Sequence, residues 1–407
     1  MNKKSYLYIS PSIFIWEDQQ HLLFYSSETK EHYYYPRDEN VLEIVRLLQE
    51  PINLHCVPVN TKRCQSFLEF IKKNGIGKII NCAETERPLA IPPFLCFPKK
   101  NNDNAIPYFD LHSVDYIKTA TVHLSCVCNL TCPNCDKLYK QTYYCCKSDQ
   151  FFSAYDIKRT AQRLQPFNLR RLNIIISGSP SSEYLTAILD AFNDFHCMKM
   201  LYIHWKNIPT IFFDRIRSNH SFLPIILVDI STDDIVGFNN FLRTIISDVN
   251  NYYISFCVSS ESDLSDIEKL TKKNIINDYD CHCFYNGHNM QFLTEYYYLS
   301  EDELKSLKAD INMIYSNQVL NLNFYGELII HHGNIYYNEN TQPIGSLDKP
   351  MQLTIQNSFM SESNAWLYNR SAKCYKCSYK YLCPPIGNLE LYMHRDYACT
   401  DYHKKVL

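Results

Sequence analysis

Residues 128–135 read CNLTCPNC and carry three cysteines, Cys128, Cys132 and Cys135, at the spacing C-x3-C-x2-C, directly after the apolar run TVHLSCV. Three thiols confined to so short a loop after a strand can wrap one inorganic cluster, because a [4Fe–4S] cube is larger than a single ion and takes its ligands from a curved segment. Three ligands leave one iron open. An open iron can chelate the amino and carboxylate groups of S-adenosylmethionine and pass an electron to its sulfonium. The competing chemistry is zinc, which is usually closed by four ligands as two C-x2-C pairs or as Cys with His. C-x3-C at the head of a strand and helix series favours the cluster.

A second set lies near the end of the chain, where CYKCSYKYLC and a later cysteine space Cys374, Cys377, Cys383 and Cys399 as C-x2-C-x5-C-x15-C. Four such thiols suit either a fully ligated cluster or tetrahedral zinc. The chain has 18 cysteines over 407 residues, too sparse for a disulfide scaffold. Cys56, Cys64, Cys82, Cys96, Cys197 and Cys257 stand singly in ordinary sequence and read as small buried hydrophobes. Cys126 should be core, as should Cys281 and Cys283 of CHC. Cys145 and Cys146 are adjacent, so they cannot comfortably hold one ion together and a bridge between them would be strained; they read as loop residues.

The elements that must position these groups can be read from the hydrophobic pattern. YLYI, IFIW and LLFY are three short aromatic and β-branched runs separated by turns, and two helical stripes follow, Val41, Ile44, Val45 and Leu48, then Phe67, Leu68 and Ile71. This predicts a sheet-plus-helices module over residues 1–100, closed by a linker at PLAIPPF and KKNNDN. From about residue 119 strands alternate with helices: TVHLSC, LNIIIS, MLYIHW, IILVDIS, YYISFCVS and CHCFYN are continuous apolar or mixed strands with amphipathic stretches between them. That is the pattern of a parallel sheet covered by helices, and six units fit a partial barrel over 115–300. The remainder, 301–407, is irregular, with a hairpin of NLNFYGELIIH and NIYYNEN turned at His332-Gly333 before the second cysteine set.

Composition excludes several classes. A hydrophobic fraction of 46% with 14% aromatics, including thirty-two tyrosines, argues for a chain folded nearly throughout. A net charge of −3 gives no broad basic field, so nucleic acid is not expected as a partner. No window approaches eighteen uninterrupted apolar residues and no secretory h-region is seen, so the protein is expected to be cytoplasmic, with no membrane partner. Tyr33 to Tyr35 and Tyr296 to Tyr298 suit either peptide contact or strand packing.

With the motif and the six β/α units in place, residues 119–290 resemble the radical SAM superfamily. In that family the second strand ends in a Gly-Gly-Glu-like segment that holds the methionine amino group. Here it reads SGSP, and the resemblance implies cofactor contacts at Ser177, Gly178 and Ser179. Ser179 stands where the family has its acid, and a hydroxyl gives up about 1 kcal/mol or more relative to a charge-assisted bond. Asp229 and Ser231, at the end of IILVDIS, suit either contact with ribose hydroxyls or a capping role. The C-terminal set resembles the SPASM domain of peptide-modifying enzymes of that superfamily. A fifth cysteine of the fuller form is replaced by Gly387, and the hairpin cysteines are missing, so one auxiliary [4Fe–4S] cluster on Cys374, Cys377, Cys383 and Cys399 is implied.

A narrower likeness runs through CFYNGHNMQFL, LNFYGELII, NAWLYNRSAKC and CSYKYLCPPIGNLE, which resemble the pseudo-radical-SAM partner proteins of double-glycine-leader peptide systems. The N-terminal module likewise resembles the winged-helix leader-recognition element of peptide maturases. The fold implied is α/β: a partial (β/α)6 TIM-like barrel with a winged-helix-like module before it and a SPASM-like domain after it. The function implied is cleavage of S-adenosylmethionine to a 5′-deoxyadenosyl radical that modifies a ribosomally made precursor peptide. The alternatives are a scaffold that presents the leader peptide to a companion maturase, and a protein that binds zinc only.

Overall fold

A computed structural model describes residues 4–88, 113–147, 151–217, 221–245, 251–274, 276, 278–358, 365–367 and 371–400. The expected linker from Leu89 onward, and Cys96, lie outside them.

The N-terminal module is built from β1 (Lys4–Ile9), β2 (Ile13–Glu17), β3 (His21–Ser26), β4 (His32–Pro36), β5 (Cys56–Pro58) and β6 (Gly77–Cys82). They form two antiparallel three-stranded sheets, ordered β5-β1-β6 and β2-β3-β4. The helix Glu39–Gln49 starts where the Asp38 carboxylate accepts the N–H groups of Asn40 and Val41, and it buries Val41, Leu42, Val45 and Leu48. A second helix, Gln65–Lys73, buries Phe67, Leu68 and Ile71. Both stripes pack on Leu7, Ile15, Leu22 and Phe24.

The six strands expected from residue 119 onward are present: β7 (Thr119–Ser125), β8 (Arg171–Ser177), β9 (Met198–His204), β10 (Phe222–Asp229), β11 (Tyr253–Val258) and β12 (Tyr279–Cys283). They lie side by side in chain order and pair in parallel. Alternate residues face opposite ways. Val122, Leu124, Ile174, Ile176, Ile203 and Val228 join the core under the helices. Ile175, Tyr202, Ile225, Leu227 and Cys257 face the other side, where Leu138, Tyr144 and Cys145 cover them.

The sheet does not stop at residue 300. β13 (Glu327–His331) lies parallel to β7, and β14 (Asn334–Tyr336) and β15 (Gly345–Ser346) follow it in antiparallel pairing, so the sheet has nine strands. The turn between β13 and β14 uses His332 at φ +49 and Gly333 at φ +73. The hairpin read from the sequence is therefore an extension of the barrel sheet rather than a separate piece. Among the described residues no helix is long and apolar enough to cross a membrane.

Candidate metal centre

β7 ends at Ser125 and the chain turns at once into the three-thiol loop. Cys126 is buried in the core, and both its N–H and its thiol reach Ser177 O, at 2.8 and 3.0 Å. Gly178 sits beneath the loop at φ +93, and a Cβ there would lie 2.5 Å from Val127 O and 2.6 Å from Cys126 O. The position needs glycine for its backbone and for the close crossing of the loop. The N–H of Ser179 donates to Val127 O at 3.2 Å. The SGSP segment thus seats the cysteine loop.

Cys128, Cys132 and Cys135 line one cavity of about 180 Å³, together with Cys145, Cys146 and Asn207. Its lining comes from segments that follow the C-terminal ends of β7 and β9, the end of a parallel sheet where ligands collect in such folds. A hydrogen bond with Cys135, and then burial, raise the Cys132 thiol above its ordinary value. At Cys135 the bond with Cys132 works downward, but the bond with Cys145 and burial outweigh it, so this thiol is raised too. Such thiols must shed protons when they take up a metal, so loading is favoured by rising pH.

The other expected contacts are engaged within the protein. Ser179 Oγ donates to the backbone and side-chain oxygens of Asn207, both at 3.3 Å, and Asn207 Nδ2 points at Cys128 Sγ from 3.8 Å. Ser177 is buried, and its Oγ accepts the Cys146 N–H at 3.1 Å. Asp229 is buried, and its carboxylate accepts from Asn134 Nδ2 (2.9 Å), Ser231 N and Oγ (3.2 and 2.6 Å) and Thr232 Oγ1 (2.7 Å). Asn134 precedes Cys135, so Asp229 and Ser231 hold the cysteine loop from behind. Asp233 extends this support. Burial works against its charge, but His204 and Lys206, at 3.1 and 2.8 Å, hold its carboxyl below the usual range.

Sequence reasoning missed Cys145, Cys146, Asn207 and two histidines. The adjacent cysteines part company. Both line the three-thiol cavity, but Cys145 lies beside Cys135, while Cys146 meets His331 Nε2 at 3.2 Å and also reaches His123. The alternation of TATVHLS places His123 on the face away from the helices, which was the available signal. Among the described residues, His123, Cys146 and His331 are the group whose ligand atoms gather within 4.8 Å.

In the C-terminal set, Cys374 Sγ points at Asp396 O (3.8 Å), Cys377 Sγ accepts the Tyr379 N–H (3.4 Å) and the Cys383 N–H donates to Tyr379 O (2.8 Å). Burial pushes the Cys377 thiol up to about 12, and the nearby Cys399 and Cys374 thiols add to it. Gly387 caps the short helix Asn388–Tyr392, its N–H donating to Glu390 at 2.6 Å. Cys283 packs on the core as expected, whereas Cys281 is exposed on the edge strand. Tyr33 and Tyr35 pack on the N-terminal core, and Tyr298 is buried while Tyr296 and Tyr297 are exposed.

No family model and no curated protein matches the chain. Among solved structures it is similar to SuiB of Streptococcus suis bound to S-adenosylmethionine, with a TM-score of 0.50 and 10% identity, over 97% of this chain and 100% of SuiB. The chain has the SuiB fold. A second SuiB structure gives the same TM-score at 11% identity, and anSMEcpe with bound AdoMet gives 0.46 at 14% identity, over 71% of this chain and 91% of that one. The whole-length likeness to SuiB bears out the α/β architecture expected from the sequence.

Proposed function

We propose that this chain is a radical SAM/SPASM-type protein of ribosomal peptide maturation. The observation that carries the reading is the convergence of Cys128, Cys132 and Cys135 on one cavity at the C-terminal edge of a parallel sheet. These thiols fit a [4Fe–4S] cluster, and Cys374, Cys377, Cys383 and Cys399 fit an auxiliary one, with zinc as the lesser alternative there. Held by Cys128, Cys132 and Cys135, such a cluster would supply the reducing electron for cleavage of S-adenosylmethionine to a 5′-deoxyadenosyl radical, the chemistry this reading requires for modifying a precursor peptide. The chain's own groups fix the loop: Gly178 seats it, Asp229 ties down Asn134, and Asn207 joins Ser179 to Cys128.

The division of labour in this reading follows the three units expected from the sequence, 1–100, 115–300 and 301–407, the last of which lends β13, β14 and β15 to the sheet of the second. β4 is an edge strand of its sheet, a geometry that can add an extended leader peptide by main-chain pairing. A cytoplasmic setting belongs to the same reading, since clustered thiols that hold metal need a reducing compartment.

A second reading is favoured by Cys145. A fourth thiol in the cavity can close the cluster, and with Ser179 bonded to Asn207 in place of an acid, the protein would then present the leader peptide to a companion maturase without cleaving S-adenosylmethionine. Anaerobic reconstitution with iron and sulfide decides between them. Release of 5′-deoxyadenosine that is abolished in Cys132→Ala upholds the enzyme. A loaded cluster with no cleavage, but with tight leader binding, upholds the scaffold. Colourless protein holding zinc and no iron would reject both.

A further inference from the structure

The inner face of the sheet holds a polar group that the three-thiol loop does not use. Cys146 Sγ, His123 on β7 and His331 on β13 are all buried, and their ligand atoms lie within 4.8 Å of one another. Cys146 Sγ is 3.2 Å from His331 Nε2, close to the separation of about 3.5 Å for a sulfur and an imidazole nitrogen on one tetrahedral zinc. His331 is also oriented from behind: its Nδ1 meets Glu339 Oε1 at 2.6 Å, leaving Nε2 to face the sulfur. A carboxylate on the far nitrogen is the usual support of a metal-bound histidine. The same Glu339 oxygen lies 3.5 Å from His123 Nε2, while His123 Nδ1 is buried with no hydrogen-bond partner. Burying two imidazoles, a thiol and a carboxylate together is costly unless something shared pairs them.

We propose that Cys146, His123 and His331 form a metal site of their own, taking a borderline divalent ion of the zinc class, with Glu339 orienting the histidines. One thiolate with two imidazoles is a donor set for zinc or cobalt rather than for magnesium or calcium, which prefer oxygen. Three protein ligands leave a fourth position for water or a substrate atom. Cys146 also lines the three-thiol cavity, which gives the ion a way in. The site does not rest on the reading of the three-thiol loop, since it uses none of those sulfurs.

The test loads the full-length protein anaerobically with iron and sulfide, strips loosely held metal with a chelator, and then titrates zinc, with cobalt as the spectroscopic probe. The expected result is a single further ion per chain whose absorption edge reports a first shell of one sulfur and mainly nitrogen, and zinc-dependent protection of Cys146 from alkylation, read by mass spectrometry. His331→Gln and His123→Gln should abolish the protection, and Glu339→Gln should weaken zinc binding about 10–100-fold. Where a histidine variant fails to fold, the first shell and the Cys146 protection in the unaltered protein decide. No further ion, an all-sulfur shell, or protection that persists in folded His331→Gln overturns the proposal.

Discussion

Gly178 carries a constraint that no other residue can meet, because its backbone is left-handed and the carbonyls of Cys126 and Val127 cross directly over it. Gly178→Ala should cost about 2 kcal/mol or more from backbone strain and contact. Denaturant unfolding should show that loss, and the reconstituted variant should hold less iron because the loop is lifted. His55 gives a pH signature elsewhere. Burial holds its imidazole down at about 4, so the folded protein keeps it neutral while the unfolded chain takes up a proton near the ordinary 6.5. Stability is therefore full above pH 6.5 and falls as pH drops toward 4, by about 1.4 kcal/mol per pH unit and about 3 kcal/mol in all. Urea titrations across that range should show the slope, and His55→Gln should flatten it. At this scale the sequence was legible where ligands are close along the chain, as in CNLTCPNC. It was not legible for His123, Asn207, His331 and Glu339, which reach the site from separate strands and loops and leave no spacing to read.

At the scale of elements, the pairing of β13 with β7 rests on a buried carboxyl. Glu327 is raised by burial, and it accepts from Thr121 Oγ1 at 2.6 Å and from Tyr143 OH at 3.1 Å. Glutamine keeps the shape and an acceptor oxygen, so Glu327→Gln should change stability little. Glu327→Leu should cost about 1–3 kcal/mol by leaving two buried hydroxyls without their acceptor. Unfolding midpoints of the two variants test the contrast. The six parallel strands were legible because each is an apolar run followed by an amphipathic stretch. The place of β13 was not, because its partner lies some two hundred residues earlier in the chain and hydrophobic periodicity carries no information about a partner so distant.

At the scale of the molecule, the N-terminal module has two apolar faces. One covers its own helices, and the other, Phe14, Trp16, Leu23 and Tyr25, packs on Leu304, Ala309, Tyr379, Leu382 and Cys399. Tyr25 OH donates to Ala309 O and accepts the Ala309 N–H, both at 2.7 Å, and Ser378 Oγ donates to Asp18 at 2.8 Å. Tyr25→Phe and Asp18→Ala should each cost about 1–3 kcal/mol by orphaning a buried group. Because Ser378 adjoins Cys377, Asp18→Ala should also lower metal content at the C-terminal thiols while leaving the three-thiol loop loaded, as metal analysis of the variant would report.

The face of the sheet away from the helices is already covered by the chain itself, with Tyr144 fully enclosed and Leu138 and Cys145 beside it. Room for a guest side chain on that face has to be made by swinging residues 138–146 outward. Since that strap begins just after Cys135 and ends at Cys146, any visitor to the interior would tug on the inorganic chemistry at both ends of it.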